Sequence, residues 1–244
     1  MERLTRFAPV WRVGTARSVR PENAHASTIS FAIPGWPGHL AGQHVDVRLT
    51  AEDGYQAQRS YSIGSPPESD ELMLTIERLE DGEVSPYLVD ELRVGDDLDI
   101  RGPIGGPFTW AVEDGGPLLL IAGGSGLVPL MSMLRHRNAA GSDVPFRLLV
   151  SARALDDVIY RDEFEDMPDV RLTLTREQPP GWEGWARRVD RAMLAELGPA
   201  PDEHPHVFVC GPTAFVELVA DLLVALGHDA AAIRTERFGP TGTP

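Results

Sequence analysis

Arg59-Ser60-Tyr61-Ser62 puts a guanidinium, a phenol and two hydroxyls into four consecutive residues. On an extended strand Arg59 and Tyr61, two apart, share a face, so both can touch one ligand. A guanidinium neutralises a phosphate group, often through a two-point grip. A tyrosine ring lies along a flat conjugated system or its sugar-like tail. Ser62 can hydrogen-bond the redox-active edge of such a ring, where donors tune its electronics. Together these are the needs of a flavin nucleotide: phosphate, ribityl chain and isoalloxazine. Taken alone, the four residues also suit an ordinary strand carrying surface Arg and Ser.

Two further stretches follow in order. Gly123-Gly124-Ser125-Gly126 ends an apolar run and opens a helical pattern that begins Leu127-Val128-Pro129. Glycines there let the backbone approach a pyrophosphate, and a helix start offers amide donors and the positive end of the helix dipole. The pattern is not the G-x-G-x-x-G of dehydrogenases. A tight strand-to-helix turn without a ligand is the plainer alternative. Cys210-Gly211-Pro212 stands where a later strand gives way to a helix. A lone cysteine at a strand end is usually a small buried hydrophobe, yet on the ligand edge of a sheet its thiol can touch a nicotinamide ring. No histidine stands near it in sequence to make it a nucleophile. Gly82-Glu83-Val84-Ser85 opens a short helix and offers a second set of amides for a diphosphate; a plain turn with Ser85 as N-cap is the alternative.

The elements that position these residues fall into two halves. Over residues 1–112 short strand-like runs recur at 11–16, 27–33, 44–49, 72–78 and 97–101, with Pro- and Gly-rich turns between them. His44-Val45-Asp46-Val47-Arg48-Leu49 alternates as a half-buried strand should. About six such strands suffice for a small barrel, with a helix over 85–92. Residues 113–244 alternate apolar strands (118–122, 146–151, 170–175, 207–210, 233–238) with helices (127–137, 158–167, 188–197, 215–226). That rhythm predicts a parallel sheet covered on both faces. Gly115-Gly116-Pro117 is the natural seam.

Composition narrows the function classes. A formal charge of −15 argues against nucleic acid as the main partner. No apolar run approaches the ~20 residues of a membrane span, and the first residues do not resemble a secretory signal, so a cytoplasmic protein is expected. A single cysteine excludes an internal disulfide and an iron–sulfur cluster held by this chain alone. His204 and His206 flank Pro205 without metal-ligand spacing, so no metal is expected. Arg3, Arg6, Arg12, Arg17 and Arg20 crowd the first 21 residues against Glu2 alone. They form either a docking surface for an acidic partner or a solvated strand edge.

Taken together, the chain resembles the ferredoxin–NADP reductase family of flavoproteins. The resemblance rests on Arg59-Ser60-Tyr61-Ser62, Gly82-Glu83-Val84-Ser85, Gly102-Pro103-Ile104-Gly105-Gly106-Pro107-Phe108, Gly123 through Pro129, and Cys210-Gly211-Pro212. It implies a six-stranded antiparallel Greek-key β-barrel binding the flavin, then a parallel-sheet α/β domain binding NAD(P), with the flavin ring between them. Arg59, Ser60, Tyr61 and Ser62 would hold the flavin. Gly82, Val84 and Ser85 would bind its diphosphate, which favours FAD over FMN. Gly123, Gly124, Ser125 and Gly126, with Cys210, Gly211 and Pro212, would bind the nicotinamide dinucleotide. Glu236 and Phe238 match positions that approach the flavin from the nucleotide side, although this chain runs six residues past Phe238. Ser62, Cys210 and Glu236 would stand at the reacting atoms. Arg153, Arg176 and Arg187 lie near the ends of the second and third parallel strands, where a 2′-phosphate would be gripped, so NADPH is favoured over NADH; pairing with nearby carboxylates is the alternative. Electrons would leave to an external acceptor, a ferredoxin, an oxygenase component or another redox protein. Two other readings stay open: a reductase of small acceptors such as free flavin, and a non-catalytic subunit that only binds flavin and nucleotide.

Overall fold

The alternating runs of the first half pair into one antiparallel sheet. The computed structural model describes residues 9–164 and 167–239. Its first strands are β1 (Val10–Asn23), β2 (Ala26–Ala32), β3 (His44–Thr50), β4 (Gln56–Ser62), β5 (Leu72–Glu77) and β6 (Asp97–Ile104). Their order is β4-β3-β6-β1-β2-β5. An antiparallel bridge between Ile63 and Leu74, with a 2.7 Å bond from the Gly64 N–H to the Met73 carbonyl, joins the outer strands and closes the barrel. In β3, Val45 and Val47 fill the barrel core, while Asp46 and Arg48 on the outer wall pair with Arg101 and Asp99. β1 outruns the expected 11–16. Beyond Thr15 it pairs only with β2, so Pro21, which has no N–H to give, sits on a free edge beside a bulge.

The short helix after β5 covers Tyr87–Glu91 and is wound as a π turn, Leu92 N–H reaching the Tyr87 carbonyl at 3.0 Å. Ser85 is not its N-cap, contrary to expectation. Its Oγ instead accepts the Leu79 N–H at 3.0 Å and ties down the preceding loop. Val84, Leu88 and Leu92 join the barrel core.

The second half is built from β7 (Leu118–Gly123), α1 (Leu127–Ala139), β8 (Phe146–Ala152), α2 (Arg161–Phe164), β9 (Val170–Leu174), α3 (Arg191–Leu197), β10 (His206–Pro212), α4 (Thr213–Ala225) and β11 (Ile233–Phe238). The sheet is wholly parallel, in the order β11-β10-β7-β8-β9. All of β7 is buried, as a strand covered on both faces must be. α3 and α4 pack one face through Met193, Leu194, Val216, Val219 and Leu223; α1 packs the other. The helix expected over 158–167 shrinks to Arg161–Phe164. Val158, Ile159 and Tyr160 are buried where the chain turns, and Tyr160 has φ +57°, which a helix cannot contain. α3 starts at Arg191 rather than 188 because Asp190 caps it, Oδ1 accepting the Met193 N–H at 2.8 Å.

α1 is also the wedge between the halves. Residues 127–134 are all buried, in a cluster that includes Ala41, Phe108 and Trp110 from the preceding half. Ser132 Oγ donates to the Ser65 carbonyl at 2.7 Å, and Arg135 to the Gly64 carbonyl at 2.5 Å. The loop leaving β4 is thus fixed by the helix that follows the glycine turn. Tyr160 adds a clamp: its hydroxyl hydrogen-bonds Thr75, and its N–H donates to Glu22 at 3.1 Å.

Candidate active site

β4 places Arg59 and Tyr61 on one face, opposite Val47 and Val45 of β3. Tyr61 packs against the barrel core; burial pushes its phenol up, against the pull of the Arg59 charge, so it stays protonated. Arg59 is half-exposed. It donates to the Gln58 carbonyl at 2.7 Å and to Glu83 at 2.9 Å. Glu83 in turn accepts the Tyr55 hydroxyl at 2.7 Å. Ser60 faces the other way, its hydroxyl on Asp46 at 2.6 Å, so any contact it makes with the ligand of Arg59 and Tyr61 must come from its backbone. The same holds in the next loop. Val84 is in the core and the Ser85 hydroxyl is engaged internally, which leaves the backbone of Gly82, Val84 and Ser85 as what that loop offers.

Ser62 ends β4 directly opposite His44, and His44 is where the two halves meet. Its Nδ1 lies 3.6 Å from Oε1 of Glu236 on β11. Glu236 is in register with Cys210 on β10. Ser62, Cys210 and Glu236, far apart in sequence, therefore line one seam. Burial pushes the Cys210 thiol well up, and nearby Glu236 adds to this. The thiol stays protonated and is no nucleophile. Burial lifts the Glu236 carboxyl to about 7 and lowers the His44 imidazole.

The buried side-chain polar atoms without a hydrogen bond among the described residues are Thr213 Oγ1, Arg234 Nη1 and Glu236 Oε2. Thr213 is the first residue of α4, and Arg234 and Glu236 lie two apart on β11, with the Arg234 guanidinium over the Phe208 ring. Unpaired buried polar atoms are costly, and here they suit a polar ligand edge such as a carboxamide or a flavin ring. Sequence reasoning missed His44 and Thr213. Thr213 follows Pro212 directly and was readable; nothing local marks His44, whose place comes from β11 approaching it.

The sheet order reverses between β7 and β10, which opens a crevice at their carboxyl ends, the usual ligand position in such sheets. The glycine turn lies there. A Cβ at Gly126 would stand 2.2 Å from the Cys210 carbonyl oxygen, and one at Gly123 2.8 Å from the Phe215 ring. Gly126 thus answers to close packing of backbone on backbone, and Gly123 to the Phe215 ring laid against it. Gly124 differs: φ is +55° and nothing lies within 4 Å of its missing side chain. Its backbone is open on that side.

Arg153 and Arg176 sit side by side on the same edge, joined by a 2.9 Å bond from the Arg176 N–H to the Arg153 carbonyl. Both are exposed. Arg187 pairs instead with Asp190, the α3 cap, at 2.6 Å. Of the basic stretch, Arg3 and Arg6 lie outside the described residues; Arg12 is turned onto the carbonyls of Gly35 and Gly102, and Arg20 onto Glu22. Phe238 ends β11 opposite Pro212 and is 37% exposed; residues 240–244 lie outside the described residues. Among the described residues no helix is long and apolar enough to cross a membrane.

Residues 25–109 match the oxidoreductase FAD-binding domain family, and residues 120–221 the oxidoreductase NAD-binding domain family. A ferredoxin–NADP reductase B of Sorangium cellulosum is 36% identical over 236 residues, 91% of this chain and 95% of that protein. The chain belongs to the ferredoxin–NADP reductase family. A glycine betaine monooxygenase reductase subunit of Chromohalobacter salexigens is 34% identical over 209 residues, 82% of this chain but only 56% of that protein, so the chain spans about half the length of such relatives. Among solved structures, the FAD/NAD-binding domain of a nitric oxide dioxygenase from Vibrio cholerae shares the fold with a TM-score of 0.82 at 24% identity, over 94% of this chain and 99% of that one. The barrel half is thus a member of the FAD-binding, and the parallel-sheet half of the NAD-binding, domain families of oxidoreductases.

Proposed function

We propose that this reductase takes a hydride from NADPH in preference to NADH, passes it to FAD and delivers the electrons to a separate redox protein, a ferredoxin or an oxygenase component. The observation that carries the reading is the seam in which Ser62 and His44 of the barrel meet Cys210 and Glu236 of the parallel sheet. Bound FAD would supply the step from a two-electron donor to a one-electron acceptor.

The chain's own residues position and shield. Arg59 neutralises the flavin phosphate, Tyr61 lies along the ring and ribityl chain, and the backbone of Gly82, Val84 and Ser85 faces the diphosphate. Gly123, Gly124, Ser125 and Gly126 present backbone to the nucleotide pyrophosphate. The protonated Cys210 thiol lines the nicotinamide, Gly211 and Pro212 shape its exit, and Ser62 and Glu236 offer polar groups to the reacting edges. Phe238 borders the same space. Arg153 and Arg176 grip the 2′-phosphate; Arg187 already has Asp190. Residues 1–112 form the flavin half and 113–244 the nucleotide half. One cysteine is too few for an iron–sulfur cluster held by these 244 residues alone, so any such cluster that takes the electrons lies outside them. The partner assignment draws on the two relatives, a ferredoxin reductase and a monooxygenase reductase subunit. A lone free thiol suits a cytoplasmic setting.

An absorption spectrum of the purified protein, followed by anaerobic additions of NADPH and NADH, tests the reading. A yellow protein bleached faster by NADPH supports it. A flavin band that neither nucleotide bleaches overturns it in favour of a binding subunit. The half-exposed Arg59–Glu83 pair favours one alternative, a diaphorase of small acceptors with exchangeable flavin.

A further inference from the structure

We propose that Glu83 competes with the cofactor's phosphates for Arg59, so that this carboxylate sets how tightly flavin nucleotides are held. The inference rests on the assignment of Arg59 to the flavin phosphate. β4 and β5 meet at the Ile63–Leu74 bridge, and Glu83, from the loop beyond β5, reaches across to the far part of β4. There its Oε2 takes Arg59 Nη2 at 2.9 Å, while Gln58 takes Nη1 at 2.7 Å. Both outer nitrogens are thus spoken for, and a phosphate seeking the usual two-point grip must displace a partner. Of the two, the Glu83 carboxylate carries the same sign of charge as the incoming phosphate.

Tyr55 holds Glu83 in this position, its hydroxyl donating to Oε1 at 2.7 Å. The Tyr55 hydroxyl and the Arg59 guanidinium also hold the Glu83 carboxyl below its ordinary range, so it is charged at neutral pH. Arg59 and Glu83 are 52% and 50% exposed, so the carboxylate can swing into water. It weakens the grip without blocking the seat. Exposed pairs of this kind are modest in strength, so the effect on affinity should be about two- to fivefold.

The test is equilibrium titration of the full chain, stripped of flavin, with FAD, FMN and riboflavin, read by flavin fluorescence. Glu83→Gln should bind FAD and FMN about two- to fivefold more tightly than the parent and riboflavin equally well. Tyr55→Phe, which frees one oxygen of the carboxylate, should shift both nucleotides less, in the same direction. Unchanged or weaker FAD and FMN binding by Glu83→Gln overturns the proposal and makes Glu83 a support for Arg59. An equal gain for riboflavin overturns it as well, because riboflavin has no phosphate. Arg59→Ala separates this failure from that of the underlying assignment: parental FAD affinity in that variant removes Arg59 from the phosphate site, whatever Glu83→Gln does.

Discussion

Glu236→Gln should stabilise the protein strongly at pH 8 and weakly at pH 5. Burial lifts the Glu236 carboxyl from 4.5 to about 7, and its Oε2 has no hydrogen bond. Between those two values the folded chain keeps a proton that the unfolded chain has released. Stability therefore falls as pH rises through this window and stays low above it. At about 1.36 kcal/mol per pH unit, the rise from 4.5 to about 7 costs ~3 kcal/mol at pH 8 and ~1 kcal/mol at pH 5. Neighbours do not offset this. His44, at 3.6 Å, has its own pKa lowered by burial, and Cys210 is held neutral. Glutamine keeps the shape and removes the charge. For a chain of this size about 1 kcal/mol moves the melting midpoint by about 2–4 °C, so the gain should be about 6–12 °C at pH 8 and about 2–4 °C at pH 5. Thermal unfolding of both proteins at matched flavin loading, followed by circular dichroism, reads this directly. An equal gain at the two pH values, or a loss at pH 8, would refute the claim that burial keeps this carboxyl neutral.

Arg59→Ala and Tyr61→Ala should each lower the flavin content of purified protein, measured as flavin absorbance per chain, with far-ultraviolet circular dichroism preserved; full retention in both would remove them from the site. Arg153→Ala or Arg176→Ala should raise KM for NADPH roughly tenfold, the scale of a lost charged hydrogen bond, and leave KM for NADH alone; equal effects on both nucleotides would show that the 2′-phosphate is not read there. Arg187→Ala, already paired with Asp190, should move KM for NADPH less than either. Gly126→Ala should yield little folded protein, because its Cβ would press on the Cys210 carbonyl at 2.2 Å, whereas Gly124→Ala, strained in φ but free of contacts, should fold and bind the nucleotide more weakly. Soluble yield and nucleotide titration separate the two.

These contrasts also show why some of the molecule was legible in the sequence and some was not. The strands were readable because burial on one or both faces writes a period into the chain: β3 alternates, β7 is apolar throughout, and β11 was placed to the residue. The glycine turn was readable because backbone can approach backbone so closely only where side chains are missing. The helix expected over 158–167 failed for a related reason. Val158, Ile159 and Tyr160 are hydrophobic because they pack into the α1 cluster, and burial alone does not distinguish a helix from a buried turn. The polar part of the site was least legible. Arg59 and Ser62 stood inside a recognisable stretch, but Tyr55, Glu83 and His44 take their meaning from partners brought by other elements: Tyr55 from the turn before β4 and Arg59 from β4 onto Glu83, Glu236 from β11 onto His44. A hydrogen bond between distant segments leaves no local spacing behind. What the sequence specifies there is a set of unsatisfied groups, and only the closed barrel and the wedge of α1 decide which of them meet.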